Sequence, residues 1–373
     1  MNFSALKNLY LNLKGFHTKR KIIVIESDDW GTVRMASKQA YNRLLKKGHK
    51  VDDCPYNSND SLENNEDLEL LGDVLLSNTD KYNRPAKITI DNIVANPDFD
   101  KIEESKFQRY FYEPFPETLK RYQNSDRVMD LYKKGINEGI FQPQFHGREH
   151  VNVNRWLYAL EMNDRRFKDV FKERMFSAVA SKAPLGRRGF LDSFGENYIK
   201  EYQNYEQIIE EGTILFEKIW GLKSSTFIAP CYTWPTFIEP ILKKHGIYGI
   251  QGTHVQRIPK KNRDYEIEKK IHYLGQRNKN NQTFLTRNAF FEPTLKITNN
   301  PIEKTIEQIN HAFKFKKPAI ISSHRLNFIG SINQKNRENN LKSFNELLRK
   351  IKRMFPDVEY LSSDQLLDLI RKS

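Results

Sequence analysis

Seven short runs of β-branched or apolar residues, at 22–25, 88–94, 140–145, 225–228, 248–250, 319–322 and 358–360, recur along the chain. Each is bounded by polar residues and followed by a longer stretch, the pattern of strands that alternate with other elements. The intervening segments 61–76, 116–134, 201–220, 235–245, 301–315 and 341–354 carry helical spacing. Strand and helix in strict alternation favour a parallel sheet covered by helices. Seven such units predict a distorted (β/α)7-type barrel, related to the eightfold barrel and smaller than it. An open doubly wound sheet is the competing architecture. Two stretches break the rhythm: 156–181 reads as a helical insertion and 267–292 as a β insertion. The expectation is one domain over 1–373, with its core at about 20–362.

The chain has material for such a core, with 38% hydrophobic residues, 24 Phe and 17 Tyr among 373 residues. A mean hydropathy of −0.72 and 29% charged residues describe a soluble protein. No run reaches the roughly 20 apolar residues that cross a bilayer. Lys7 and Lys14 interrupt the first residues before a signal-peptide core forms, so a cytoplasmic location is expected. Cys54 and Cys231 make no CxxC pair and no disulfide framework. The net charge of +14 would attract polyanions, yet the basic residues are spread along the chain without a nucleic-acid-binding motif. Nucleic acid is therefore not expected as a partner.

In parallel α/β folds, reactive groups collect where strands end. Four polar groups occupy such positions. Asp28 and Asp29, in VIESDDWGTV, follow the first run; His146 and His150, in FQPQFHGREHVN, follow the third. Residues 230–234, in FIAPCYTWP, follow the fourth, and His324, in AIISSHRLNF, follows the sixth. A helix N-cap accounts for one aspartate but not for two. Two imidazoles four apart, with a carboxylate from another strand, make a three-ligand set that leaves one coordination position for water.

In order and placement these motifs resemble the polysaccharide deacetylases of carbohydrate esterase family 4 and the wider glycoside hydrolase/deacetylase superfamily. The first motif reads Asp28-Asp29-Trp30-Gly31, the second His146-Gly147-Arg148-Glu149-His150, and the late histidine is His324. The resemblance runs from about residue 21 to residue 361. It implies that Asp29, His146 and His150 bind a divalent metal, Zn2+ first among the candidates. It also implies that Asp28 is the general base, that His324 is the general acid, and that the substrate is an N-acetylated sugar or glycan. Three departures stand out. The third motif, Ile228-Ala229-Pro230-Cys231-Tyr232, lacks the family's arginine, which orients the catalytic aspartate; Arg148 or Arg325 is the expected replacement. Gly147 stands where the family has Ser or Thr, and the fourth motif has no clear counterpart.

Trp30, Tyr232 and Trp234 offer flat faces suited to sugar rings. With Pro230, Cys231, Arg148 and Arg325 they form the expected substrate-facing set. His254 and His272 read as surface or supporting residues, and Trp220 as packing. HGREH also fits the H-x-x-E-H pattern of a zinc metalloprotease, with Glu149 as base and Glu210, Glu211 or Glu217 as third ligand. Pro143 before the motif and Gly147 within it argue against the helix that reading needs. A catalytically impaired protein that holds glycans or polyanions is the non-enzymatic alternative.

Overall fold

The computed structural model describes residues 10–177, 189–195, 201, 203–260 and 266–373. Its main sheet contains β1 (Ile22–Trp30), β2 (Ile88–Ile93), β3 (Phe141–Gly147), β4 (Thr226–Ile228), β5 (Gly249–Gly252), β6 (Thr283–Thr286), β7 (Ala289–Phe290), β8 (Ala319–His324) and β9 (Glu359–Leu361). The spatial order is β6-β5-β4-β3-β2-β1-β8-β7, and every pairing is parallel. β6 lies on one edge and β7 on the other, with only Arg287 and Asn288 between them in the chain. The Arg287 amide donates to the Gly252 carbonyl of β5, and the Asn288 amide donates to the Ile320 carbonyl of β8. The two edges therefore meet through a single split stave, and the fold is a distorted (β/α) barrel of seven staves.

All seven predicted strands form, but the seventh stave is not the predicted one. The run at 358–360 becomes β9, which pairs with the start of β1 at Ile22, Ile23 and Val24, below the point where β2 joins. The stave that completes the ring comes from within 267–292. Only Ile267–Ile271 stands off the main sheet there, in an antiparallel hairpin with Val255–Pro259. The predicted helix at 116–134 is two helices, Phe115–Leu119 and Val128–Asn137, separated where Asn124 takes a φ of 57°. Asn tolerates that left-handed conformation, which a continuing helix does not contain.

Helices Val153–Glu161 and Arg165–Lys172 occupy the stretch at 156–181, whose residues 178–181 lie outside the described residues. Trp156, Phe167 and Phe171 from this pair gather with Phe99 and Phe190 in a separate apolar cluster.

The start of β1 shows why apolar residues run without alternation in this fold: both faces of a parallel stave are covered. Ile23 and Ile25 pack with the helices' Leu71, Ile309 and Leu348, while Ile22 and Val24 pack with Leu285, Ile320 and Leu366. Shortening Ile25 to alanine removes contacts from a fully buried site. We expect a loss of about 2–5 kcal/mol in urea unfolding; a loss below about 1 kcal/mol would show that the site collapses around the gap.

Candidate metal centre

Adjacent residues of a regular strand point to opposite faces of the sheet, so two neighbouring aspartates should not share a cleft. β1 is not regular at this point. Its register with β2 shifts between Ser27 and Trp30, and Asp29 adopts a φ of 75°. That left-handed turn costs a non-glycine residue on the order of 1 kcal/mol. In return, both carboxylates face one cleft of about 280 Å3, lined also by His146, His150, Tyr232 and His324.

Asp29 meets the two histidines. Its Oδ1 lies 3.1 Å from His150 Nε2 and 3.4 Å from His146 Nε2. Two ligands bound at about 2.0–2.1 Å to a common tetrahedral cation stand roughly 3.3 Å apart, so the spacing matches. The donor atoms of Asp29, His146 and His150 all lie within 4.8 Å of one another; the two histidines are buried and the Asp29 side chain is 13% exposed. His146 Nδ1 lies 2.9 Å from the Ile228 carbonyl. A carbonyl only accepts, so the proton sits on Nδ1 and the Nε2 lone pair faces Asp29. Burial holds the His150 imidazole below its ordinary pKa in spite of Asp29 beside it, and this favours the neutral ligand form. Burial also opposes ionisation of Asp29, but charge on His150 and hydrogen bonds from protonated imidazoles outweigh it and hold its carboxyl well below the usual range; a bound cation would take the place of those protons. This trio has the donor atoms and spacing to hold a divalent metal ion.

Asp28 faces a different partner. The fully buried Arg287 donates from Nη2 to Asp28 Oδ1 at 2.5 Å and from Nη1 to Oδ2 at 2.7 Å. It also donates from Nε to Glu26 at 2.6 Å, and its Nη groups reach Asp91, Ser322 and the Tyr232 hydroxyl at 3.0–3.1 Å. Burial alone would raise the Asp28 pKa; the guanidinium overrides it and brings the carboxyl down to about 2. Asp91 goes the other way. Burial, then repulsion from Asp28 and Glu26, keeps it protonated well above the ordinary carboxylate range.

His324 sits beside Asp28 in the β1–β8 register. Its Nε2 is 3.6 Å from Asp28 Oδ2, and its Nδ1 is 2.5 Å from Glu292 Oε1. Burial opposes the charged imidazole, but Glu292 and then Asp28 raise its pKa to about 10.

The cleft gathers Asp28, Asp29, His146, His150, His324, Cys231 and Tyr232, but not the rest of the expected set. Trp30 is buried and donates to Ser27 Oγ at 2.9 Å, and Trp234 is buried against Glu239. Pro230 is buried at the start of its turn. Arg148 is buried between Glu149 and Glu211, and Arg325 between Asp60 and Glu63. Neither of these arginines takes the missing cation's place at Asp28; Arg287 does. Glu149, bound to Arg148 beyond a strand end rather than on a helix, gives the protease reading no base facing the histidine pair. The Tyr232 amide donates to the Ala229 carbonyl within the turn. Sequence reasoning missed Arg287 and Glu292, which precede no recognisable run and stand on either side of the split stave's short second half.

The sequence matches no family model and no curated protein. Among solved structures, the chain is similar to a putative polysaccharide deacetylase from Mycobacterium smegmatis at 10% identity and a TM-score of 0.44, covering 96% of this chain and 95% of that one. It is similar to Puue allantoinase at 9% identity and a TM-score of 0.46, covering 96% and 93%. A 4-alpha-glucanotransferase from Thermococcus litoralis, at 12% identity and a TM-score of 0.44, is covered over 40% of its length by 94% of this chain. At these values the chemistry of the cleft has to be read from its own residues.

Two outcomes follow from the charges around it. Replacing Arg287 with methionine leaves Glu26 and Asp28 buried without their cation, and urea unfolding should show a loss of about 3–5 kcal/mol. A loss under about 1 kcal/mol would mean that other groups neutralise them. The second concerns pH. Because the folded pKa of His324 is raised from 6.5 to about 10, its contribution is complete below 6.5 and is lost as pH rises through 10. The melting temperature of the metal-free protein should therefore fall more steeply over that window than that of His324→Asn. Parallel curves would contradict it.

Proposed function

We propose that the protein is a metal-dependent hydrolase of carbon–nitrogen bonds that removes the acetyl group from an N-acetylated sugar or glycan. One observation carries the reading: an Asp-His-His trio and a separate Asp28–His324 pair converge on the same cleft, each carboxylate held by its own partners. Imidazole and carboxylate ligands suit Zn2+, and three protein ligands leave a position for water or substrate. When bound, such an ion supplies Lewis acidity, acidifying a water and polarising an acyl carbonyl.

The chain's own groups supply the proton handling. Asp29, His146 and His150 are the ligands. Asp28, fixed on both oxygens by Arg287, faces the cleft and is the general base. His324 carries a proton at neutral pH through Glu292 and is the group that protonates the departing amine nitrogen. Tyr232 and Tyr56 line the cleft and supply the aromatic surface that a sugar ring would meet. Among the described residues no helix is long and apolar enough to cross a membrane. With a cytoplasmic location, the substrate would be an intermediate of glycan assembly.

Metal analysis of wild type beside Asp29→Ala and His146→Ala, paired with an acetate-release screen on N-acetylated sugars, tests this. Wild type should hold stoichiometric metal and both variants should lose it. His324→Ala and Asp28→Asn should keep the metal and lose roughly 10²–10⁴-fold in kcat. Equal metal in all proteins removes the ligand set; metal without acetate release removes the deacetylase reading.

A further inference from the structure

Arg34 lines the same cleft as the trio and His324, and among the described residues it forms no ion pair, although its field reaches the buried Asp60. Its guanidinium stands over the Tyr56 ring, 5.3 Å from the centroid, and Tyr56 meets the His324 ring edge-on at 5.4 Å. Its Nη2 reaches Cys54 Sγ at 3.9 Å, a weak acceptor. Its Nε is buried without a hydrogen-bond partner. Among the described residues no carboxylate pairs with it. The contrast with the other interior arginines is sharp: Arg148, Arg155, Arg287, Arg325 and Arg337 each have at least one acidic partner. Buried guanidinium nitrogens without a hydrogen bond also occur in Arg325 and Arg337, so what sets Arg34 apart is a part-buried charge with no acid in ion-pair contact among the described residues, which costs free energy unless a ligand completes it.

A second arginine lines the same cleft. Arg257 is exposed on the Val255–Pro259 strand and lines the cleft, again with no acidic partner among the described residues. The acids of the cleft are already matched, Asp28 to Arg287 and Asp29 to the histidine pair. What the cleft leaves unmatched is positive charge. Guanidinium groups bind carboxylates and phosphates through paired donors, and the net charge of +14 would draw anions toward the protein.

We infer that the substrate is an acidic N-acylated sugar, whose carboxylate or phosphate docks on Arg34 with Arg257 at the rim. This rests on the N-acyl sugar reading of the cleft and adds its charge class. Tyr56, touching both Arg34 and His324, places the anion about one aromatic ring away from the proton donor.

The test is calorimetric binding to the metal-loaded full chain, with N-acetylglucosamine 1-phosphate, N-acetylmuramic acid and neutral N-acetylglucosamine as probes. At low salt, at least one anionic probe should bind wild type about tenfold or more tightly than the neutral one, and which one does separates phosphate from carboxylate. Arg34→Gln should erase that preference while leaving neutral-sugar binding and metal content as in wild type. Arg257→Gln should reduce it less. Arg34→Lys, which keeps the charge without the fork, should retain part of it and serves if the glutamine variant does not fold. Equal binding of charged and neutral probes by wild type, or an undiminished preference in either Arg34 variant, overturns the inference. An Arg34-dependent preference without acetate release supports the anion site and removes the deacetylase reading; acetate release without charge preference does the reverse.

Discussion

One buried guanidinium organises the centre of this protein. Arg287 reaches Glu26 and Asp28 on β1, Asp91 on β2 and Ser322 on β8, from a position between β6 and β7. Its own amide bonds to β5. A charge removed from water on this scale is tolerated because it is surrounded by carboxyl groups in hydrogen-bonding geometry. Three acids on one cation would be too many if all were ionised, and the raised pKa of Asp91 resolves the excess by keeping a proton there. The barrel's interior polar network and the orientation of Asp28 are thus one arrangement.

A second constraint acts on the chain itself. The cleft needs two adjacent carboxylates on one side of the sheet, which a regular strand cannot deliver. The irregularity between Ser27 and Trp30, with Asp29 in a left-handed conformation, provides it. The strain is supported by what surrounds it. Gly31 follows at a φ of 82° and its amide donates to the buried Glu63, while Asn92 and Asn96 bond the carbonyls of Trp30 and Gly31. A Cβ on Gly31 would stand 2.3 Å from the Ile93 carbonyl oxygen, so that position admits glycine alone.

The parts of this architecture carried by contiguous residues were legible in the sequence. The strands whose apolar residues cover both faces announced themselves as unbroken runs, and the acids and imidazoles at their ends marked one edge of the sheet. What was not legible depends on contact between distant segments. β6 and β7 are four and two residues long and are separated by Arg287 and Asn288, so no apolar run betrays a stave. Arg148 and Arg325 stand next to the motifs in sequence and so suggest themselves as the cation beside Asp28, but each is taken up by other acids, Glu149 and Glu211 for one and Asp60 and Glu63 for the other. Trp30 and Trp234 sit beside motif residues in sequence, yet their rings turn into the interior, where Ser27 and Glu239 meet their indole nitrogens. Proximity along the chain indicates which edge a residue occupies, and only packing decides which way it turns.

The split stave has a consequence for how the molecule comes together. The two residues joining its halves close the ring, and one of them is the arginine that fixes Asp28. A chain that had assembled its other six staves but had not docked this segment would have its acidic side chains in place without a counter-charge to steady them. Completion of the ring and the fixing of the Asp28 carboxylate are thereby the same event.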